Sequence, residues 1–241
     1  GATAVDTDVA ITDTDTGDSN TCTKGGADAD LFTCTVSATA YSVAFTSSPN
    51  YDSGTACAAG NSCTVTIKIN DGAQDGATIT YTITIADAND QTPAVTVDES
   101  YATAEATTVF QTFTIVDTDT TGAYGCTLGG ADSAAFSKTV TGKNCVVSWD
   151  SARDYDAAHA DANGDGTYEL TIAFTDGTNN LGAQSTDVTV TDVNDQTPTY
   201  TATSTTPTVT EGATAVDTDV AITDTDTGDS NTCTKGGADA D

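Results

Sequence analysis

Acidic side chains recur along this chain in three short patterns, and each pattern could supply ligands to a metal ion. The patterns are Asp-Thr-Asp, Asn-Tyr-Asp or Asp-Tyr-Asp, and Asp-x-Asn-Asp. Carboxylates, Asn side chains and backbone carbonyls are hard oxygen ligands, and calcium takes about six to eight of them. Two carboxylates about 4 Å apart repel by roughly 4 kcal/mol at an effective dielectric of 20, so a close cluster favours a bound cation. The occurrences considered as metal sites are residues 13–15, 50–52, 87–90, 117–119, 154–156, 192–195 and 224–226.

Aspartate also caps turns on solvated surfaces, which is the alternative interpretation of these residues. We adopt it for Asp6, Asp18, Asp28 and Asp98, although Asp6 begins a further Asp-Thr-Asp at residues 6–8. For the patterns themselves we favour metal binding, because the same carboxylates recur together in both halves of the chain. Calcium is therefore the predicted cofactor.

A further acidic segment begins at Asp161 and matches the opening of an EF-hand loop, D-x-N-x-D-G. Its candidate ligands are Asp161, Asn163, Asp165 and Glu169. The acidic residue expected at the twelfth position of such a loop is instead Ile172. A turn-rich insertion is the alternative interpretation of this segment.

Catalytic patterns are absent from the sequence. His159 is the one histidine, and neither a G-x-S-x-G motif nor a paired Cys and His occurs. A glycan hydrolase would need two carboxylates across a cleft, whereas metal binding explains the acidic patterns better. The chain is predicted not to be an enzyme.

Cysteine usage indicates an oxidising compartment. Seven cysteines are present, and Cys233 lies in an exact copy of the segment that holds Cys22, which leaves six per repeat period. Sequence alone does not prove connectivity, and a metal or thiol site is the alternative, although no CxxC motif occurs. Disulfides place the protein outside the cell or on its surface. The predicted local pairs are Cys22–Cys34, Cys57–Cys63 and Cys126–Cys145.

Internal repetition organises all of these residues. Residues 1–30 recur without change at 212–241, which gives a period of 211 residues. Within that period a weaker repeat is present, because CTKGGADADLF at 22–32 returns as CTLGGADSAAF at 126–136. Two homologous domains of nearly equal length therefore alternate along an array.

The predicted domains are residues 1–93, residues 94–198 and residues 199–241, the last being the start of another copy of the first domain. The first strand of the first domain is missing before residue 1, and its copy stands at 206–212. The ends of separate subunits could complete one another by strand exchange. We prefer one continuous polypeptide, since a stretch cut from a periodic chain explains identical ends without further assumptions.

The elements that position these residues are β-strands. Apolar residues alternate with polar ones over 65–69, 79–85 and 168–174, which is the period of a half-buried strand. Gly, Asn and Asp clusters separate such runs, as turns require. About seven short strands per domain predict an all-β fold of tandem antiparallel Greek-key β-sandwiches.

Charge and hydropathy exclude two classes of partner. The formal net charge is −30, and such a surface repels the phosphate backbone of nucleic acids. No run of 18 or more apolar residues is present, so no membrane span is predicted in this stretch.

Taken in order, the patterns resemble tandem cadherin repeats over essentially the whole chain. That family carries a glutamate on the first strand, an LDRE-type motif, a D-x-N-D-N linker and a D-x-D in the following domain. The resemblance implies that the motifs converge at each domain junction and bind several calcium ions, which stiffen the array. Here LDRE is replaced by Asn50-Tyr-Asp52 and Asp154-Tyr-Asp156, and the linker ends on Gln91 or Gln196.

The resemblance assigns ligands to three junctions. For the first junction they are Asn50, Asp52, Asp87, Asn89, Asp90, Asp117 and Asp119, with a glutamate before residue 1. For the second they are Glu99, Asp154, Asp156, Asp192, Asn194, Asp195, Asp224 and Asp226. Asp13 and Asp15 would serve the junction that precedes this stretch.

The expected function is that of a structural repeat unit in an extracellular, calcium-stiffened, disulfide-stapled filament or stalk. The alternative is a cell-surface adhesin that mediates cell–cell or cell–substrate contact. The expected partners are further copies of the unit along the array in one polypeptide, with lateral self-association or a surface ligand as further options.

Overall fold

The computed structural model describes residues 3–15, 17, 19–157, 161–216 and 220–237. Its packing divides the chain into two compact units. The first unit comprises Gly1–Gln91 and Asp117–Gly122, and the second comprises Thr92–Val116 and Ala123–Asp241. The boundaries of the three domains remain a prediction.

The first unit contains six strands in two sheets. One sheet has the order β1-β4-β3 and the other the order β2-β5-β6, and all of the pairs are antiparallel. The strands are β1 (Ala4–Ala10), β2 (Thr21–Gly25), β3 (Phe32–Val36), β4 (Ala40–Phe45), β5 (Ser62–Asn70) and β6 (Ile79–Thr84).

The second unit repeats this plan, adds β7 to one of the two sheets and has a separate two-stranded sheet. Its strands are β7 (Ser100–Ala104), β8 (Val109–Thr114), β9 (Gly125–Gly129), β10 (Phe136–Thr141), β11 (Asn144–Trp149), β12 (Thr167–Thr175), β13 (Asn180–Thr191), β14 (Thr199–Tyr200) and β15 (Ile222–Thr223). The sheets have the orders β7-β13-β12-β9, β10-β11-β8 and β14-β15. The pairing of β7 with β13 is parallel, whereas the other pairs are antiparallel.

Each unit has a core between its two larger sheets. In the second unit, Leu170 and Ile172 of β12 are buried against Val147 of the opposite sheet. In the first unit, Val65 of β5 and Val43 of β4 are fully buried in the same way. The alternation read from the sequence thus corresponds to inward-facing side chains, and the predicted all-β fold is confirmed.

The three predicted disulfides are confirmed, and two of them join the sheets. Cys22–Cys34 links β2 to β3, and Cys126–Cys145 links β9 to β11. Cys57–Cys63 closes a short loop that leads into β5. Cross-links over loops of this length contribute about 2–3 kcal/mol each on the chain-entropy model. Cys233, whose copy Cys22 is paired, is exposed and free.

The sequence predicts that Asp28 caps a local turn. In the structure its side chain instead binds a loop that is distant in the sequence. Its side chain is 4% exposed. Oδ1 accepts a hydrogen bond from the Ala58 amide at 2.6 Å, and Oδ2 accepts one from the Thr64 amide at 2.7 Å. The buried charge is therefore compensated by two backbone donors from the segment that contains Cys57–Cys63.

Asp132, in the second G-G-A-D sequence, has the same role. It is 5% exposed and accepts hydrogen bonds from the amides of Ala162 at 2.5 Å and Glu169 at 2.9 Å. Both G-G-A-D aspartates thus attach the loop that precedes the long central strand of their unit.

The other aspartates interpreted as turn caps differ from one another. The Tyr81 hydroxyl donates to Oδ2 of Asp6 at 3.1 Å, so Asp6 joins two strands. The Asp98 amide donates to the Tyr101 hydroxyl at 2.9 Å. Asp18 lies outside the described residues.

Candidate metal centres

A carboxylate cluster in the second unit forms where two parallel strands end side by side. Glu105 follows β7 directly, and Asp192 follows β13 directly. The Glu105 amide donates to the Thr191 carbonyl at 3.1 Å, which continues the β7–β13 pairing to this point. Asp156, from the loop after β11, completes the group. One oxygen from each of Glu105, Asp156 and Asp192 lies within 4.8 Å of the others.

Glu105 is fixed in this cluster by the backbone. Its side chain is 5% exposed. Oε1 accepts a hydrogen bond from the Val193 amide and Oε2 accepts one from the Tyr155 amide, both at 2.7 Å. Since Val193 adjoins Asp192 and Tyr155 adjoins Asp156, Glu105 also holds the other two carboxylates in register.

The cluster extends to the carboxylates of the last segment. Oxygens of Asp156, Asp195 and Asp226 lie within 4.8 Å of one another, as do those of Asp224, Asp226 and Asp229. Asp226 is 8% exposed. Both groups include Asp226, and Asp156 belongs also to the Glu105 group. The carboxylates therefore form one continuous acidic cluster.

A related cluster lies within the first unit; we call it the first cluster, and we call the group around Glu105 and Asp156 the second cluster. Oxygens of Asp52, Asp87 and Asp119 are within 4.8 Å of one another. The Gln91 amide donates to Asp119 Oδ2 at 2.9 Å, and the Thr120 amide donates to Asp87 Oδ2 at 2.6 Å.

The corresponding hydrogen bonds recur in the second unit. The Gln196 amide donates to Asp226 Oδ2 at 2.9 Å, and the Thr227 amide donates to Asp192 Oδ2 at 2.5 Å. The same two backbone donors therefore bind corresponding aspartates in both clusters.

The donor set fits calcium. Several buried carboxylate oxygens have no hydrogen-bond partner among the described residues, which for a charged group is costly unless a cation compensates it. In the described part of the chain, the one ion pair joins Lys68 to Asp75, outside both clusters. Closely spaced carboxylate oxygens without basic partners are the ligands that calcium prefers. The oxygens in question are Asp52 Oδ1, Asp87 Oδ1, Asp156 Oδ2, Asp192 Oδ1 and Asp226 Oδ1.

The closely spaced carboxylates change the pKa of Asp156. Partial burial, followed by the charges of Asp226, Asp192 and Glu105, raises the pKa of Asp156 to about 6. In a metal-free cluster, a proton on Asp156 therefore neutralises part of the negative charge that a bound cation would neutralise.

In the first cluster, the pKa of Asp52 shifts in the same direction. Partial burial, followed by the neighbouring charges of Asp119 and Asp87, raises the pKa of Asp52. Hydrogen bonds from Thr120 lower the pKa of Asp87, which therefore stays ionised.

In metal-free buffer, the contribution of Asp156 to stability is expected to fall as the pH rises from about 4 to about 6. Its pKa is raised from 3.8 to about 6 in the folded state, so folding binds a proton in this interval. The contribution is complete below pH 3.8 and is lost as the pH passes through 6. Melting curves in EDTA across this interval measure the slope. The Asp156→Asn variant should show a flatter slope, and identical slopes would contradict the assignment.

The first residue of each short acidic pattern orients the second. In all five cases its side-chain oxygen accepts a hydrogen bond from the amide two residues later, at 2.9 to 3.4 Å. In four of the pairs this Asx-type turn directs the second side chain into a carboxylate cluster, whereas Asp15 is exposed and belongs to no such cluster among the described residues. The pairs are Asp13 with Asp15, Asn50 with Asp52, Asp117 with Asp119, Asp154 with Asp156, and Asp224 with Asp226.

The linker residues are divided between the clusters and the surface. Asp195 contributes to the cluster with Asp156 and also accepts a hydrogen bond from the Gln196 side chain at 2.6 Å. Asp90 accepts the same bond from Gln91 at 2.6 Å. Asn194 is exposed, whereas Asn89 is partly buried.

Glu105, and not Glu99, occupies the strand-glutamate position. Glu99 is exposed, and its carbonyl accepts a hydrogen bond from the Asp187 amide at 2.9 Å, which begins the pairing of β7 with β13. The signal that could have identified Glu105 is its alignment with Glu211, because Glu105-Ala-Thr-Thr corresponds to Glu211-Gly-Ala-Thr at the start of the next copy.

The EF-hand-like segment is closed largely by its own hydrogen bonds. Oδ2 of Asp161 accepts from the amides of Asp165 at 2.7 Å and Gly166 at 3.2 Å. The Asn163 side chain donates to Glu169 Oε1 at 2.8 Å, and contact with Asp132 raises the pKa of Glu169. Calcium binding by Asp161, Asn163, Asp165 and Glu169 stays a prediction. His159, beside this loop, lies outside the described residues.

Comparison with known proteins places the fold. The chain is similar to the protocadherin gammaB7 EC3-6 cis-dimer structure, with a TM-score of 0.54 and 18% identity over 88% of this chain and 50% of that one. It is similar to the extracellular domain of protocadherin gammaB4, with a TM-score of 0.56 and 20% identity over 94% of this chain and 36% of that one. It also resembles mouse protocadherin-24 EC1-3, with a TM-score of 0.54 and 18% identity over 86% of this chain and 66% of that one.

These similarities confirm that the fold is that of cadherin extracellular repeats. The chain spans less than two thirds of the length of each of the three matched chains. No protein-family model matches the sequence, and no curated protein is similar to it. Among the described residues, no helix has the length and apolar character needed to cross a membrane.

Proposed function

We propose that this chain is a structural repeat unit of an extracellular array in which calcium binds the two carboxylate clusters. The observation that carries the proposal is the recurrence of one geometry. Asp52 lies close to Asp87 and Asp119, and its counterpart Asp156 lies close to Asp192 in one group and to Asp226 in another. The same two backbone donors recur in both clusters. A cluster of like charges without basic partners is unfavourable unless a cation is bound.

The residues that would hold calcium come from segments that are far apart in the chain. In the first unit these are Asp52, Asp87 and Asp119. In the second unit Asp192 and Asp226 belong to segments separated by more than 30 residues. Glu105 and Asp156 belong to two further segments. Calcium would supply charge neutralisation and would cross-link these segments, which restricts their motion and stiffens the array.

Exact repetition and disulfides support the rest of the proposal. Each copy of a 211-residue period needs only to extend the previous copy. Three disulfides in one chain support an oxidising, extracellular location. The partners are then further copies along the array, and the absence of catalytic motifs supports a structural role rather than an enzymatic one.

A second candidate is an adhesin, favoured by the likeness of the fold to protocadherin repeats, one of which was solved as a cis-dimer. The two functions differ in a binding assay. An adhesin should bind a second copy of the chain, or a cell surface, saturably, whereas a filament unit should extend only end to end.

Scattering from two joined 211-residue periods tests the proposed stiffening. In calcium the solution ensemble should be narrow, and in EDTA it should broaden, because the unbound carboxylates repel one another. The Asp192→Asn variant should have a broad solution ensemble in both buffers. Identical ensembles in calcium and EDTA would reject calcium stiffening.

A further inference from the structure

In the first unit, a disulfide closes the loop that leads into the long central strand β5. Cys57 and Cys63 each lie directly before a residue whose amide donates to the buried Asp28 carboxylate, namely Ala58 and Thr64. Both cysteines are buried. The two ends of this loop are therefore fixed by a covalent bond and by two hydrogen bonds to one carboxylate.

The corresponding loop of the second unit, which leads into β12, contains no cysteine. Asp132 binds its two ends in the same way, through the amides of Ala162 and Glu169. The residue directly before Ala162, in the position that Cys57 has in the first unit, is Asp161. A buried carboxylate thus begins this loop where a buried cysteine begins the other.

The Asp161 carboxylate lies inside the loop and has one oxygen to spare. Its side chain is 9% exposed. Oδ2 accepts hydrogen bonds from the amides of Asp165 and Gly166, and Gly166, with a φ of +83°, allows the backbone to turn around it. Oδ1 is buried and accepts no hydrogen bond from the described residues. A charged oxygen in this position is unfavourable unless a further partner binds it.

Glu169 also directs an unused oxygen toward a buried position. Its Oε2 is buried and has no hydrogen-bond partner among the residues that the structure describes. Its Oε1 accepts a hydrogen bond at 2.8 Å from Nδ2 of Asn163, and the same Nδ2 donates to Asp165 Oδ2 at 3.1 Å. A partly positive amide group therefore lies between two carboxylates, which marks a position that favours positive charge.

Asp132 offers a further carboxylate to this loop from a distant segment. Its side chain contacts the carboxyl group of Glu169. Each Asp132 oxygen accepts one backbone hydrogen bond, and its second lone pair can serve another partner. The EF-hand pattern lacks its acidic twelfth residue at Ile172, and Asp132 can supply that charge instead.

We infer that the loop of residues 161–169 binds a calcium ion, which closes the second unit's loop where a disulfide closes the loop of the first unit. Binding turns the Asn163 side chain so that its Oδ1 replaces its Nδ2 between the carboxylates. Hard oxygen ligands of this kind suit calcium. The site is separate from the two carboxylate clusters and does not rest on calcium binding there. Its proposed ligands are Asp161 Oδ1, Glu169 Oε2, Asn163 Oδ1 and the carboxylates of Asp132 and Asp165.

Hydrogen exchange of the 241-residue chain in calcium and in EDTA tests the inference. Calcium should slow exchange at the loop amides of Ala162, Asp165 and Gly166. The amides of Ala58 and Thr64 should exchange equally in both buffers, because the disulfide already closes their loop. Equal exchange of the second unit's loop in calcium and EDTA would overturn the inference.

Variants that keep the loop's hydrogen-bond acceptors separate metal binding from folding. Asp161→Asn and Glu169→Gln each retain an oxygen for the present donors and remove a charge. In each, the calcium concentration that gives half of the loop protection should rise at least about tenfold, as expected when a metal site loses a partner. Asp150→Asn removes a charge from an exposed position and should match the native chain. Unchanged protection in both Asp161→Asn and Glu169→Gln would contradict the site.

The Asp192→Asn variant separates this site from the second cluster. It should weaken the effect of calcium on the amides of Tyr155 and Val193, which bind Glu105, and leave the loop protected. Loop protection that is lost in Asp192→Asn but kept in Asp161→Asn would mean that the loop only senses the second cluster, and would overturn the inference. Loop protection without any effect of calcium at Tyr155 and Val193 would support the loop site and reject the proposed calcium function of that cluster.

Discussion

Replacing Asp28 with alanine is expected to lower the free energy of unfolding of the first unit by about 3 kcal/mol, because each buried amide left without its acceptor costs about 1–3 kcal/mol. The amides are those of Ala58 and Thr64, which bond to a side chain only 4% exposed. Urea unfolding followed by tyrosine fluorescence and circular dichroism measures the change. Trp149, the one tryptophan, lies in the second unit and should report an unchanged transition there.

Two matched variants make this result specific. Asp30→Ala removes the same charge from an exposed position two residues away and should change stability by no more than about 0.5 kcal/mol. Asp132→Ala should produce the converse effect, shifting the Trp149 transition and leaving the first unit unchanged. An Asp28→Ala variant as stable as Asp30→Ala would show that the buried hydrogen bonds do not hold the loop.

The second large effect is expected at Asp156, where an Asn substitution should act in opposite directions with and without calcium. In EDTA at pH 7 the variant should be more stable than the native chain, since it removes a charge crowded by Asp226, Asp192 and Glu105. In calcium it should bind the ion at the second cluster at least about tenfold more weakly, because losing even an indirect partner of a metal ligand weakens binding by about 10–100-fold.

Melting temperatures in EDTA and in calcium, together with calorimetric titration, measure both effects. The matched control is Asp187→Asn, which removes the same charge from an exposed position on β13. The control should leave calcium binding unchanged. Calcium affinity that is equal in the two variants, or a destabilised Asp156→Asn chain in EDTA, would contradict the description of the cluster.

Much of the fold could be predicted from the sequence because local periodicity and the repeat act together. The alternation around Leu170 predicts the strand β12, and the repeat identifies Cys233 as a copy of Cys22, which resolves the odd number of cysteines. Cys126 and Cys145 are the two cysteines of the predicted second domain, whereas the four cysteines of the first allow three connectivities, of which the structure has Cys22–Cys34 and Cys57–Cys63. The structure confirms all of these features.

The parts of the site that could not be predicted depend on strand pairing. Glu99 and Glu105 are six residues apart on one segment, and, apart from the alignment of Glu105 with Glu211, the sequence does not indicate which of them reaches Asp192. The parallel register of β7 with β13 decides, because it places Glu105 beside Asp192 at the end of both strands.

Aspartates that have the same local sequence signal also differ in role. Asp28 in G-G-A-D resembles a turn residue, yet its acceptors are used by amides 30 and 36 residues away. Conversely, Asp154 belongs to an acidic pattern but mainly orients Asp156 through a local turn. Only long-range packing distinguishes a candidate metal ligand, a residue that orients it, and a buried aspartate that binds a distant loop.

Calorimetric titration of the 241-residue chain with calcium, beside a chain carrying Asp87→Asn and Asp192→Asn, tests the central claim most directly. The native chain should bind calcium saturably, and at about 100 times the dissociation constant the ion should add about 2.7 kcal/mol of stability per site. The double variant should lose most of this binding and stabilisation. A native chain that neither binds calcium nor gains stability at millimolar concentrations, or a double variant that matches it, would contradict the account.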